Sequence, residues 1–168
     1  MYLYLNFDGV LHPDRVAYSE GCIPSLLAAE HSVLEHASLL SEILEPHYDL
    51  HLVLNTWWTF YLGLDACVEM LPSSLSRRVV GATLGYATSY DGIPSRANEM
   101  ERHRARQGRQ RFIILDHNNA RYRPDLLSHL LLLDPDDGLA ALAARRSLAR
   151  RLTRMQPNGI VNLCSCPY

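Results

Sequence analysis

Five short apolar runs recur along the chain, and each ends abruptly in polar residues. The runs carry almost no polar alternation, which is typical of parallel strands that are covered on both faces. They extend over Tyr2 to Leu5, Leu50 to Leu54, Val79 to Gly81, Phe112 to Leu115 and Leu130 to Leu133. The pattern therefore predicts a buried parallel sheet of about five strands.

Segments with apolar residues at helical spacing separate these runs. The clearest extend over Ser32 to Leu44, Ser95 to Gln107 and Gly138 to Thr153. Ser95 is a favourable N-cap residue behind Pro94, and Gly108 is a typical residue at a helix end. Because strands and helices alternate, we expect an α/β fold, a three-layer sandwich around a Rossmann-like sheet. The irregular stretch from Leu11 to about Glu30 predicts a loop or flap over one end of that sheet.

The length of 168 residues fits one domain, which we assign to residues 1–154, followed by a C-terminal tail at 155–168. Apolar residues make up 48% of the chain, enough for a core, and no apolar run approaches the ~20 residues of a membrane helix. The amino terminus lacks the basic start of a signal peptide. We expect a cytoplasmic protein without a membrane partner, and free thiols rather than a zinc site at Cys164 and Cys166.

Positive charge comes from a single residue type. The chain has no lysine, and the 16 residues counted as lysine or arginine are all arginine. A mechanism that needs a lysine is therefore excluded, and a cationic contact to phosphate must come from an arginine or a helix N-terminus. Several arginines cluster between Arg102 and Arg111, where two hypotheses stay open. One is contact with a nucleic-acid backbone, and the other is a solvated helix end that complements the helix dipole.

Polar residues follow the apolar runs at the edge where an open parallel sheet binds its ligands. They are Asn6 and Asp8, Asn55 and Thr56, Gly81 and Thr83, Asp116 and His117, and Asp134 and Asp136. Turns after strands favour Asp and Asn in any case, so the distribution is typical of a site without being specific to one. Trp57 and Trp58 follow the second run, and such a pair packs in a core more often than it stacks on a nucleobase.

The order of four short motifs is more specific. Residues 4–13, Tyr-Leu-Asn-Phe-Asp-Gly-Val-Leu-His-Pro, resemble the first motif of the haloacid dehalogenase (HAD) superfamily. The strand that ends at Thr56, the helix opened by Arg96 and the strand that ends at Asp116 resemble the second, third and fourth motifs. Together with Val-Leu-Asn-Thr-Trp-Trp at 53–58 and the stretch 131–139, these motifs resemble the HAD domain of Swiss Army Knife RNA repair proteins. The likeness covers residues 1 to 154.

The resemblance implies a phosphatase in which one aspartate attacks phosphorus and a second, two residues on, acts as general acid and base. In this chain Asn6 stands at the nucleophile position, and Asp8 stands at the acid–base position. The remaining phosphate-binding roles fall on Arg96 and on Asn55 or Thr56, one of which could hold phosphate while the other merely ends the strand. The implied fold has little or no cap, since only about forty residues separate the second motif from the third. An open site of this kind suits a phosphorylated substrate such as a nucleotide or an RNA end.

The resemblance also implies Mg2+ as cofactor. Its ligands would be the backbone carbonyl of Asp8 and the carboxylate of Asp116, with Asn6 and His117 as further candidates. A magnesium ion held there would neutralise the phosphate and hold it in line for attack.

The chain departs from the family pattern at two positions. The amide of Asn6 is a very poor nucleophile and brings no charge to a metal, and His117 stands where the family commonly has a second acid. Asn6 is either an engineered change that traps substrate on an active enzyme or a natural loss, and the sequence leaves both open. The leading hypothesis is a magnesium-dependent phosphatase with an impaired nucleophile. The alternatives are a non-catalytic module that binds phosphate or nucleic acid, and an interaction domain with a vestigial site.

Overall fold

The computed structural model describes residues 1–19, 22–89, 92–108, 110–118 and 122–155. The strands are β1 (Tyr2–Leu5), β2 (Val16–Ala17), β3 (Ser25–Leu26), β4 (His51–Leu54), β5 (Val79–Ala82), β6 (Phe112–Asp116) and β7 (Leu130–Leu132). The α-helices are α1 (Ala37–Leu44), α2 (Trp57–Leu62), α3 (Leu64–Glu69), α4 (Ser73–Ser76), α5 (Arg96–Arg106) and α6 (Leu142–Met155). Short 3-10 turns cover Pro124–Leu126 and Gly138–Ala140.

Five strands form one parallel sheet in the order β5-β4-β1-β6-β7. Leu3 of the central strand β1 lies opposite Leu52 of β4 on one side and Ile113 of β6 on the other. The carboxyl ends of β1, β4 and β6 therefore meet at one edge of the sheet. The three-layer α/β architecture expected from the apolar runs is confirmed.

Successive residues of the central strand face opposite layers of the sandwich. Leu3 and Leu5 belong to a core that also contains residues of α1 and α6. Tyr4 belongs to the core on the other face, together with Met100 of α5. Because both faces of the strand are covered by helices, its residues are nearly all apolar, as the sequence pattern indicated.

Two predicted helix starts differ from the structure. The helix expected from Ser32 begins at Ala37 instead, because Leu34 adopts a left-handed backbone conformation with φ of 58° that a helix does not tolerate. The helix expected from Gly138 is a 3-10 turn that is followed by α6. A Cβ atom at Gly138 would lie 2.7 Å from the carbonyl oxygen of Val10, so this close backbone approach requires glycine.

The expected flap contains a small antiparallel hairpin formed by β2 and β3, in which Val16 pairs with Leu26. Residues 57–89 form α2, α3, α4 and β5, and Cys67 and Leu75 of this segment pack into the main core. The described residues thus contain no separate cap domain. None of their helices has the length and apolar character needed to cross a bilayer. Residues 156–168, including Cys164 and Cys166, lie outside the described residues.

Candidate functional site

Asn6 follows β1 and is fully buried. Its Nδ2 atom donates to the backbone oxygen of Asp8 at 2.8 Å and to Oδ1 of Asp116 at 3.2 Å. Its Oδ1 atom is buried and accepts no hydrogen bond from the described residues. The amide therefore presents its donor group to two oxygen acceptors, which a carboxylate at this position could not do.

Asp8 is buried and accepts hydrogen bonds from three side chains. Trp58 donates from Nε1 to Oδ1 at 2.8 Å, and Tyr18 donates from its hydroxyl to Oδ2 at 2.5 Å. The third partner is Nε2 of His12, which lies 3.2 Å from Oδ1. Because Nδ1 of His12 accepts the amide of Leu34, Nε2 is the protonated nitrogen and donates to Asp8.

These contacts decide the charge on Asp8. Burial alone would raise the pKa of this carboxyl, but the hydrogen bonds from His12, Tyr18 and Trp58 outweigh burial and hold the pKa below its ordinary value. Asp8 is therefore ionised at neutral pH. A general acid must carry a proton, so this arrangement does not prepare Asp8 for the acid role that its motif position implies.

Asp116, the last residue of β6, is fully buried and surrounded by donors. Arg96 donates from Nη1 to Oδ2 at 2.5 Å and from Nη2 to Oδ1 at 3.2 Å. The hydroxyl of Tyr122 donates to Oδ2 at 2.8 Å, and the amides of His117 and Asn118 donate to Oδ1 at 2.8 and 3.3 Å. The negative charge of this carboxylate is thus paired with Arg96, and both of its oxygens accept hydrogen bonds from neighbouring residues.

The ring of His117 lies where the ends of β1 and β6 meet. Nδ1 is 2.8 Å from the backbone oxygen of Asp8, and Nε2 is 2.8 Å from Oδ2 of Asp14. Burial lowers the pKa of His117, but the hydrogen bond and charge of Asp14, the charge of Asp116 and the bond to Asp8 outweigh it, so the pKa is raised. The side chain is only 9% exposed.

The polar residues after β4 are engaged within the protein. Thr56 caps α2, and its Oγ1 accepts the amide of Trp58 at 3.3 Å. Asn55 donates from Nδ2 to the hydroxyl of Tyr122 at 3.0 Å and accepts the hydroxyl of Thr83 on Oδ1 at 2.7 Å. The side chains of both residues therefore support the site edge through these bonds, and their phosphate-binding roles stay predictions.

A cavity of about 120 Å3 opens beside Asp116. The described residues that line it are Trp57, Ser95, Arg96, Ala97, Asp116, Asn118 and Tyr122. The guanidinium of Arg96 lies over the ring of Trp57, with its carbon 5.4 Å from the ring centre, and also donates to the backbone oxygen of Asn55. In the described part of its lining, the cavity thus combines the fixed cation of Arg96 with an aromatic wall and several polar side chains.

The family to which this fold belongs follows from a match to a known protein family. The family described as the HAD domain in Swiss Army Knife RNA repair proteins matches residues 2–144. The chain belongs to this family. No curated protein and no solved structure matches it.

HAD proteins generally use Mg2+, but the residues of this HAD domain do not fit that ion. Asn6 turns an NH2 group toward Asp116 and the Asp8 carbonyl, and Arg96 is paired with Asp116. The ring of His117 fills the space between these groups. Among the described residues there is no cluster of three or more His, Cys, Asp or Glu side chains suited to a metal. The NH2 group of Asn6, the guanidinium of Arg96 and the ring of His117 together are a poor match for Mg2+, a hard cation that requires oxygen ligands.

Several residues of this HAD site were not predicted from the sequence. His12, Asp14 and Tyr18 lie in the segment expected to be an irregular flap, and Tyr122 lies beyond the fourth motif. No periodic pattern marks such residues, because their partners are distant in the chain. Trp58 was expected in the core, and it is fully buried there while its indole nitrogen donates to Asp8. The adjacent Trp57 instead lines the cavity.

Proposed function

We propose that this HAD domain binds a phosphorylated ligand, a nucleotide or an RNA-end phosphate, and does not hydrolyse it through a phosphoaspartate. The observation that carries the proposal is the orientation of Asn6, whose NH2 group is bound to Asp116 and to the Asp8 carbonyl. An amide in this position can neither attack phosphorus nor repel an approaching phosphate as a carboxylate would.

The cavity beside Asp116 supports binding of an anion. Arg96 is the cation among the described residues of its lining, and its contacts with those residues use three of the five N–H donors of the guanidinium. With respect to the described residues, this leaves two N–H donors that a phosphate oxygen could accept. Ser95, at the N-terminus of α5, adds a hydroxyl in the same lining, and an eleven-residue helix favours an anion at that end.

The state of Asp8 supports binding over hydrolysis. Loss of a leaving group from a phosphate ester needs a proton donor, and the three hydrogen bonds to Asp8 hold it as a carboxylate. In this arrangement Asp8 organises the walls of the site, since its partners come from the flap and from α2.

A second candidate function is the magnesium-dependent phosphatase, with Asn6 as a later or engineered loss. It is favoured by the residues that remain in motif order, namely Asp8, Thr56, Arg96 and Asp116. Under this hypothesis an aspartate at position 6 would supply the nucleophile and restore hydrolysis.

Calorimetric titration of the full chain with uridine trinucleotides tests the binding proposal. We expect the trinucleotide with a 5′-phosphate to bind at least tenfold tighter than the same trinucleotide without it. Arg96→Lys removes the planar guanidinium while it keeps the charge, and should lose most of this preference. Arg146→Gln, an exposed change on α6, is the matched control and should keep it. Equal binding of the two trinucleotides would contradict the proposal, provided circular dichroism confirms that each variant is folded.

A further inference from the structure

One ring nitrogen of His117 is close to three groups from two strand ends. Nδ1 lies 2.8 Å from the Asp8 carbonyl oxygen, 3.2 Å from Nδ2 of Asn6 and 3.5 Å from Oδ1 of Asp116. These are the groups that the motif pattern assigns to the metal. The ring therefore lies at the position where a divalent cation would be bound.

The hydrogen bonds of the ring define its chemical form. The backbone oxygen of Asp8 can only accept, so in the 2.8 Å contact Nδ1 of His117 is the donor, and its longer 3.2 Å contact with the NH2 group of Asn6 is then not a hydrogen bond. The other nitrogen, Nε2, faces the carboxylate of Asp14 and donates there. A ring whose two nitrogens both donate is the imidazolium cation, and here it is fixed at both ends.

The surrounding residues fit this ring closely. A Cβ atom on Gly9, which has φ of +63°, would lie 2.5 Å from Cγ of His117, so glycine leaves the space that the ring fills. The amide of Asn6 is complementary to the same arrangement, because it donates to Asp116 and to the Asp8 carbonyl. A carboxylate at position 6 would direct an oxygen at those two acceptors and would need a metal between them.

We propose that the side chain of His117 replaces the divalent cation of this site, with Asn6 as the matching second change. The two departures from the family motifs are then one adaptation: the cation is supplied by the chain, and the carboxylate that served the metal is replaced by an amide. The domain holds its ligand without metal. The part that concerns the ligand rests on the proposed function, whereas the replacement of the cation does not.

Titration of the full chain with Mn2+, followed by the electron paramagnetic resonance signal of the free ion, tests the replacement without any phosphate ligand. We expect the native chain to leave the signal unchanged. The double variant Asn6→Asp with His117→Asp restores three carboxylates around the Asp8 carbonyl and should bind Mn2+ at least tenfold tighter than the native chain. The matched control is Asn6→Asp with His51→Asp, which makes the same charge change at an exposed histidine and keeps His117. It should not bind Mn2+.

Two outcomes would overturn the replacement. One is stoichiometric binding of Mn2+ to the native chain that Asp116→Asn abolishes. The other is equal binding by the double variant and its control. Thermal unfolding checks that each variant is folded, and Asn6→Asp with His117→Asn serves in place of a double variant that does not fold. The Mn2+ titration of the native chain tests the replacement whether or not the variants fold.

A chelator separates this inference from the proposed function. The 5′-phosphorylated uridine trinucleotide should bind the native chain equally well before and after treatment with EDTA. If that binding disappears with EDTA, the replacement of the cation is wrong and ligand binding stands. If Mn2+ behaves as expected and the trinucleotide does not bind at all, the proposed function is wrong and the replacement stands.

Discussion

The hydroxyl of Tyr18 donates a 2.5 Å hydrogen bond to the buried carboxylate of Asp8, and this bond joins the flap to the end of the central strand. The ring of Tyr18 also lies 4.9 Å from that of Tyr61 and 6.0 Å from that of Trp57, centre to centre. Burial, followed by the charge of Asp8, raises the pKa of Tyr18. The hydroxyl therefore stays protonated and acts as the donor over the whole physiological pH range.

Tyr18→Phe should destabilise the protein by about 1 to 3 kcal/mol, because it removes a hydrogen bond to an ionised, buried acceptor and keeps the ring. Urea unfolding measures the change. Tyr48→Phe is the matched control, since Tyr48 is 89% exposed, and it should leave the free energy of unfolding nearly unchanged. Hydrogen exchange should become faster in the flap segment around Val16 in Tyr18→Phe only. Equal stability of the two variants would show that the bond to Asp8 contributes nothing.

The sheet could be predicted from the sequence because its strands are short and nearly all apolar, and the three central strands β4, β1 and β6 are largely buried. The convergence of Asn6, Asp8 and Asp116 follows from the same pattern, since parallel strands bring their carboxyl ends to one edge. Their partners could not be predicted. Tyr18 reaches Asp8 from the flap, and Asp14 fixes the far side of His117; both contacts depend on the tertiary path of an irregular segment.

The prediction that the helix begins at Ser32 was wrong for a related reason, since α1 begins at Ala37. The apolar spacing of Val33 and Leu34 suits a helix, but the amide of Leu34 donates to the buried ring of His12 at 3.2 Å. That tertiary bond accompanies the left-handed conformation of Leu34 and delays the helix to Ala37. Local propensity is a weak determinant where a buried polar group needs a partner.

The arginine cluster before β6 has partners within the chain, which favours the helix-end interpretation. Arg102 pairs with Glu99 at 2.6 Å, and the guanidinium of Arg104 lies 4.9 Å from the ring centre of Phe112. Arg111 donates to the backbone oxygen of Met155 at 2.6 Å. Arg109 lies outside the described residues.

Arg104→Gln should therefore reduce stability by about 0.5 to 1 kcal/mol through loss of the contact with Phe112. It should leave the salt dependence of binding to single-stranded RNA unchanged, because a residue that contacts a phosphate backbone changes the logarithmic slope by about one. Unfolding in urea measures the first effect, and titrations at several salt concentrations measure the second. A flatter slope in Arg104→Gln would restore the alternative hypothesis of a nucleic-acid backbone surface.

His36 makes the stability of the fold dependent on pH. Burial is the largest cause that lowers the pKa of His36 below the ordinary 6.5, and the charges of His12 and His31 lower it further. The charge of Glu35 and a hydrogen bond with the backbone of Val10 raise the pKa, but they do not outweigh burial. The unfolded chain therefore binds a proton near pH 6.5 before the folded chain does. The contribution of His36 is present above that pH and is lost as the pH falls toward its folded pKa.

The midpoint of thermal unfolding should thus decrease as the pH is lowered from about 7.5 to about 5.5, and it should decrease less in His36→Gln, which cannot take up the proton. His51→Gln, at an exposed position, is the control and should follow the native curve. The assignment to His36 fails if the two variants show the same dependence on pH.

Asn6→Asp by itself should leave the domain inactive toward p-nitrophenyl phosphate in the presence of Mg2+. The new carboxylate would supply a nucleophile, but His117 would still fill the metal position, and Asp8 would still lack a proton to donate. A gain of a working covalent nucleophile is worth many powers of ten in rate, so even a crude assay would detect it.

The activity of Asn6→Asp is compared with that of the double variant Asn6→Asp with His117→Asp. If Asn6→Asp alone produces magnesium-dependent hydrolysis that Asp8→Ala abolishes, the phosphatase hypothesis is correct, and neither His117 nor the ionised state of Asp8 blocks the reaction. If only the combination of Asn6→Asp with His117→Asp is active, the chain lost two carboxylates of one metal site, as the position of His117 between Asn6, Asp8 and Asp116 implies. If both stay inactive while the native chain binds the 5′-phosphorylated trinucleotide, the hydrogen bonds that keep Asp8 ionised are the remaining barrier. Adding Tyr18→Phe to the double variant should then raise the pKa of Asp8 and restore part of the activity.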